Sequence, residues 1–75
     1  MIRLRADDRT GPLSDQQVLR IQFWMLEVAG ARHCEVTKEP PVGIVVPDED
    51  LRPEDLSPVV LAKLEAIIGG WLQHG

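Results

Sequence analysis

A small α+β domain is the fold that the sequence predicts: a two-layer sandwich with its elements in the order β-α-β-β-α. Short stretches of alternating apolar and polar residues, near the start and in the middle of the chain, are typical of half-buried strands. Two longer stretches carry apolar residues at helical spacing. A length of 75 residues fits one domain, residues 1–75, which buries only about 60% of the surface that its unfolded chain exposes.

The first strand is predicted over residues 2–6, where apolar and polar residues alternate and the polar positions are Arg3 and Arg5. A polar loop over residues 7–12 ends it. The sheet is therefore expected to have one apolar face for packing and one polar face open to solvent.

The first helix, predicted over residues 14–29, has both start and stop signals. Ser14 and Gln17 form a capping box, and Gly30 follows at the expected end. Apolar residues cover more than ~200° of its circumference, whereas a surface helix in a two-layer domain needs a stripe only a little over ~100° wide. We therefore expect part of this helix to contact a second copy or another protein. The candidate contact residues are Leu19, Phe23 and Trp24, and Trp24 is expected to lie outside the core.

The second and third strands are predicted over residues 33–38 and 42–46. Alternation in the first of them places Cys34 on the core side. The β-branched run of the other is typical of a more buried strand, and Gly43 within it indicates a bulge or a close backbone approach. The two prolines between these strands predict a wide loop rather than a tight turn.

The second helix is predicted over residues 57–72. Ser57 is its N-cap and Pro58 occupies the first helical position. The apolar stripe has about the width that one sheet face needs, and Trp71 is expected to lie in the core with it. The opposite side consists of small residues that would allow another helix to approach closely. The candidate contact residues there are Ala62, Ala66 and Gly70.

The formal net charge is −4, and its excess lies in the last third of the chain. Acidic and basic residues cancel over residues 1–47, whereas residues 48–75 hold six acidic residues against Arg52 and Lys63. The acidic loop, residues 48–55, either complements the start of the second helix or contacts a basic partner. The candidate contact residues in it are Asp48, Glu49 and Asp50.

No catalytic, cofactor or metal site is predicted. His33 and Cys34 are neighbours on a strand and therefore point to opposite faces, so they are expected to be a surface histidine and a core thiol. The acidic loop lacks the ligand spacing of a calcium-binding loop. A single cysteine excludes an internal disulfide. The chain has no apolar run near ~20 residues, and we expect it in the cytoplasm and not at a membrane.

We therefore expect a non-enzymatic protein-protein interaction module, such as a regulator, an inhibitor or an assembly factor of the phage or accessory-protein kind. It would form a homodimer or bind a protein target through the first helix. The acidic balance opposes nucleic-acid binding, which depends on basic residues that neutralise phosphate.

One alternative remains open for the architecture and one for the function. Without the first strand, the chain would be a helix, a β-hairpin and a helix (α-β-hairpin-α), as in a reduced winged helix. Such a module would bind nucleic acid through basic residues that contact phosphate. Its candidate residues are Arg3, Arg5, Arg9, Arg20 and Arg32.

Overall fold

The computed structural model describes residues 1–74 as a four-stranded antiparallel sheet with helices packed on one face, which confirms the predicted α+β class. The strands are β1 (Ile2–Ala6), β2 (Glu35–Thr37), β3 (Gly43–Val46) and β4 (Leu72–His74). The helices are α1 (Asp15–Phe23), which continues as a π-helical turn over Trp24–Val28, and α2 (Pro58–Ile68), which follows a 3-10 turn at Pro53–Asp55.

The sheet has the strand order β2-β3-β1-β4, and every neighbouring pair is antiparallel. The central strands β1 and β3 are aligned so that Leu4 lies opposite Ile44. The order of elements along the chain, βαββαβ, is that of the ferredoxin-like arrangement. That arrangement hosts many unrelated functions, so the topology by itself carries no functional argument.

The fourth strand was not predicted, because the second helix was expected to reach residue 72. The helix instead ends at Ile68, and Gly69 adopts a left-handed conformation with φ of 72°. The Gly69 N–H donates to the Glu65 carbonyl at 2.9 Å, an arrangement that closes a helix C-terminus. The chain then turns, and β4 pairs with the free side of β1. The predicted C-terminal turn of the helix is therefore wrong.

The core lies between the sheet and the helices. Ile21, Met25 and Leu64 from the helical layer are fully buried, as is Ile44 from β3. The prediction that Trp71 joins this core is wrong, because its side chain is 73% exposed. Trp71 precedes β4, and the buried position on that strand belongs to the next residue instead.

The predicted polarity of the sheet is confirmed along β1, where the apolar side chains are buried and Arg3 and Arg5 are exposed. The predicted close approach at Gly43 is also confirmed. A Cβ on Gly43 would lie 3.3 Å from the Leu4 carbonyl oxygen, a tight contact. The loop before Gly43 is wide, as predicted, and contains a cis peptide bond between Pro40 and Pro41.

Both helices begin where the sequence places them, at Ser14 and Ser57, whose hydroxyl oxygens accept backbone N–H bonds from the first turns. Over residues 1–74, none of the helices combines the length and the apolar character needed to cross a bilayer.

Candidate functional site

Three large apolar side chains lie exposed along the outward face of the first helical segment. Leu19, Phe23 and Leu26 are 64%, 55% and 37% exposed, and we call them the α1 stripe. Their spacing of four and then three residues places them on one side of a helix. On the opposite side, Ile21 and Met25 are fully buried against the sheet. The apolar excess predicted for this helix is therefore present on the surface of the folded domain.

The C-terminal end of the stripe lies in the π-helical turn. Here the Ala29 N–H donates to the Trp24 carbonyl at 2.9 Å, five residues back rather than four. A wider turn advances each residue by a smaller angle around the helix axis. Val28, the last residue of this turn, is 49% exposed. The π turn is the last turn of this helical segment, which ends at Val28.

The prediction that Trp24 lies outside the core is wrong. Its side chain is half-buried and packs against the buried cluster. Its ring meets the Phe23 ring edge to face, with centroids 6.2 Å apart and planes at 86°. This is a favoured geometry for two aromatic rings. Trp24 therefore supports Phe23 from the side of the core, and Phe23 presents the exposed ring.

Two opposite charges flank the stripe. Arg20 and Glu27 are exposed, seven residues apart, and lie on the same flank of the helix. The ion pairs of residues 1–74 involve other side chains, so neither Arg20 nor Glu27 is neutralised by a partner within that part of the chain.

The predicted small-residue face of the second helix is only partly formed. Ala62 and Ala66 are exposed on α2, but the helix ends before Gly70, so the prediction that the three share one helix face is wrong. A Cβ on Gly70 would lie 2.5 Å from the Thr10 Oγ1 atom. The backbone of Gly70 is thus packed tightly against its own chain.

In the acidic loop, the Asp48 side chain is buried and forms hydrogen bonds within the domain. Its side chain is 2% exposed, and its carboxylate accepts the backbone N–H groups of Arg32 at 2.8 Å and His33 at 3.2 Å. These hydrogen bonds, the one from Arg32 first, lower the pKa of Asp48 below its ordinary value of 3.8. Asp50 is exposed, and its carboxylate accepts a hydrogen bond from the Arg32 guanidinium at 2.8 Å. Glu49, the preceding residue, is also exposed. Asp48 therefore fixes the segment that leads into β2 and offers little surface to a partner.

His33 and Cys34 do not lie on a strand, as the prediction over residues 33–38 required, because β2 begins only at Glu35. Their side chains nevertheless have the predicted environments. Cys34 packs half-buried against the core, and burial raises the pKa of its thiol to about 11. The side chain of His33 is 75% exposed. Among residues 1–74, the histidine, cysteine and carboxylate side chains form no group of three suited to a metal ion.

The arginines named for nucleic-acid binding are not brought to one face. Arg3 and Arg5 lie on the open side of the sheet, whereas Arg20 lies on the face of α1 that points away from the sheet. Arg32 is paired with Asp48 and Asp50. Arg9, in the loop after β1, is exposed.

The sequence did not predict Leu26 or Trp71 as contact residues, although both side chains are exposed. Leu26 was placed on the flank of a broad apolar arc, although its distance of seven residues from Leu19 is the signal that joins it to the stripe. Trp71 was placed in the core, although Gly69 and Gly70 before it signal the end of the helix.

Comparison of the chain with protein-family models, with curated proteins and with solved structures gives no match. The role of the α1 stripe therefore has to follow from the exposure, spacing and charge of its own residues.

Proposed function

We propose that this chain is a non-enzymatic protein-protein interaction module whose contact surface is the α1 stripe. One observation carries the proposal: Leu19, Phe23 and Leu26 stay exposed on one helix face while the core closes without them. Removing apolar surface from water is worth about 25 cal/mol per Å². A partner that covers the stripe therefore gains free energy that the isolated domain leaves unused.

Phe23 is the expected centre of the contact. It lies between Leu19, one turn before it, and Leu26, about one turn after it. The edge-to-face contact with Trp24 holds its ring, so less side-chain entropy is lost when a partner binds. Large aromatic side chains near the centre of an interface commonly carry most of the binding energy.

The groups that would be first choices for catalysis are used structurally. The Asp48 carboxylate is held by two backbone N–H groups. A pKa of about 11 leaves Cys34 almost wholly as the unreactive thiol at neutral pH. These features support a binding role, such as that of a regulator, an inhibitor or an assembly factor. A lone thiol fits the cytoplasm, where cysteines are kept reduced.

Site-specific photo-cross-linking in the native host tests this proposal. A photoreactive phenylalanine analogue placed at position 23 is expected to form adducts of defined mass, identified by mass spectrometry. The matched control carries the analogue at Lys63, which is exposed on α2 away from the stripe. Adducts that are absent at position 23, or equally abundant at both positions, would refute the proposed contact surface.

A further inference from the structure

We infer that the partner of the α1 stripe is a second copy of this chain, packed antiparallel to the first about a two-fold axis beside Phe23. The inference rests on the proposed function and specifies its partner. It is carried by the order of side chains along the stripe and by the two charges on its flank.

The stripe is complementary to itself when one helix runs against the other. A two-fold axis beside Phe23 places that ring against its own copy and brings Leu19 of one chain against Leu26 of the other. A bulky apolar side chain therefore meets another at each of these positions. All three point away from the sheet, so the domain behind them does not block the approach.

The charges select the antiparallel direction. An antiparallel two-fold pair of helices brings the same flank of each helix together, as in antiparallel coiled coils. Arg20 of each copy then lies opposite Glu27 of the other, and two reciprocal ion pairs form at once. A parallel pair would instead bring opposite flanks together, and these two side chains would not meet.

The charge balance favours a second copy over a basic partner. The chain has a net charge of −4, but that excess resides in residues 48–75. The flank of the stripe holds one positive and one negative side chain, Arg20 and Glu27, and is locally neutral. A strongly basic partner would be attracted to the acidic last third, whereas a balanced pair of charges is matched by its own reversed copy.

The size of the stripe sets the strength of the pair. Three exposed apolar side chains and the stems of their polar neighbours cover less than the roughly 800 Å² per partner of a standard interface. We therefore expect a weak dimer, with a dissociation constant in the micromolar range, whose population rises with protein concentration.

Charge reversal tests both the partner and the direction. Sedimentation equilibrium of the full chain, from low micromolar to near-millimolar concentration, is expected to show a monomer-dimer equilibrium. Arg20→Glu and Glu27→Arg should each weaken it by about tenfold or more, because each places like charges opposite each other twice. Mixing the two variants should restore association, since each chain then meets opposite charges on the other. Lys63→Glu, an exposed reversal on α2, is the control and should leave the equilibrium unchanged.

The outcomes separate this inference from the proposed function. A chain that stays monomeric at near-millimolar concentration overturns the inference, as does a dimer that survives Phe23→Ala or whose variants do not re-associate when mixed. Circular dichroism of each variant establishes that it is folded. Cross-links from position 23 to a different protein would still support the proposed function, whereas their absence for every partner would overturn it.

Discussion

The side-chain amide of Gln17 donates a hydrogen bond to the backbone carbonyl of Ile67 at 2.9 Å and thereby ties the first turn of α1 to the last turn of α2. The oxygen of the same amide accepts the Ser14 N–H at 2.7 Å, and the Gln17 N–H donates to the Ser14 hydroxyl at 3.2 Å. One side chain thus completes a capping box and joins two helices whose contact residues are 50 positions apart in sequence.

Gln17→Ala should lower the free energy of unfolding by about 1 to 2 kcal/mol, because it removes the side-chain half of the capping box and an interhelical hydrogen bond together. Urea unfolding followed by circular dichroism measures this loss. The control is Gln16→Ala at the exposed neighbouring position, where we expect a change within about 0.5 kcal/mol. Equal losses at the two positions would show that the interhelical bond contributes nothing.

Replacing a helical leucine by alanine should have different effects at a buried and at an exposed position. Leu64→Ala is expected to cost ~2 to 5 kcal/mol of stability, because Leu64 is fully buried and its removal leaves a cavity. Leu19→Ala, at a side chain that is 64% exposed, should change the stability of the monomer by less than about 0.5 kcal/mol. It should instead weaken self-association. Urea unfolding and sedimentation on the same samples measure both, and a large loss of stability from Leu19→Ala would contradict the placement of the stripe.

Gly70→Ala should destabilise the domain by about 1 to 3 kcal/mol, because its new methyl group would overlap the Thr10 hydroxyl. Gly11→Ala is the matched control, since no atom lies within 4 Å of a Cβ there. Thr10→Ala in the Gly70→Ala background removes the overlapping oxygen. The double variant should therefore lose less stability in thermal unfolding than the two single losses combined, and strict additivity would argue against the overlap.

The Asp48 carboxylate should make stability depend on pH in the acid range. Its pKa is lowered in the folded state, so its contribution is fully present above the unfolded pKa of about 3.8 and is lost as pH falls through the folded value. Urea midpoints measured from neutral pH downward should therefore fall more steeply for the wild type than for Asp48→Asn. Glu49→Gln, which changes an exposed carboxylate of the same loop, is the control and should keep the wild-type slope.

Cys34 should react slowly with iodoacetamide in the folded protein. Raising the pKa from 9.0 to about 11 lowers the thiolate fraction at neutral pH by about a hundredfold. The greater nucleophilicity of a high-pKa thiolate offsets part of that loss, so we expect at least about tenfold slower alkylation than in the urea-unfolded chain. The folded rate should keep rising with pH until about 11. A plateau near pH 9 would show that burial does not hold back the thiol.

Local chemistry explains which parts of the fold the sequence predicts. The capping residues Ser14 and Ser57 act within one turn, and the alternation in β1 shows directly in neighbouring side chains. The fourth strand depends instead on the free side of β1, more than 60 positions earlier in the chain. A helical pattern that runs on to Leu72 gives no sign of that distant edge.

The sequence predicted part of the candidate site but not the positions that depend on tertiary packing. The apolar excess on the first helix identified Leu19 and Phe23, because the circumference that a sheet can cover is limited by geometry. Trp24 was misplaced since helical angles alone do not show which flank the neighbouring elements cover. Asp48 was named as a contact residue, although its hydrogen bonds to residues 32 and 33 depend on how the loop folds back.

The position of β4 has a consequence for the behaviour of the protein at high concentration. Without β4, β1 would be an edge strand with a row of unpaired backbone amides and carbonyls. Such a row can template the addition of further extended chains, which leads to aggregation. β4 covers that row. The two edge strands of the sheet are then β2 and β4, each only three residues long, and β2 carries the charged Glu35. Short edge strands therefore oppose strand pairing between molecules at both edges of the sheet.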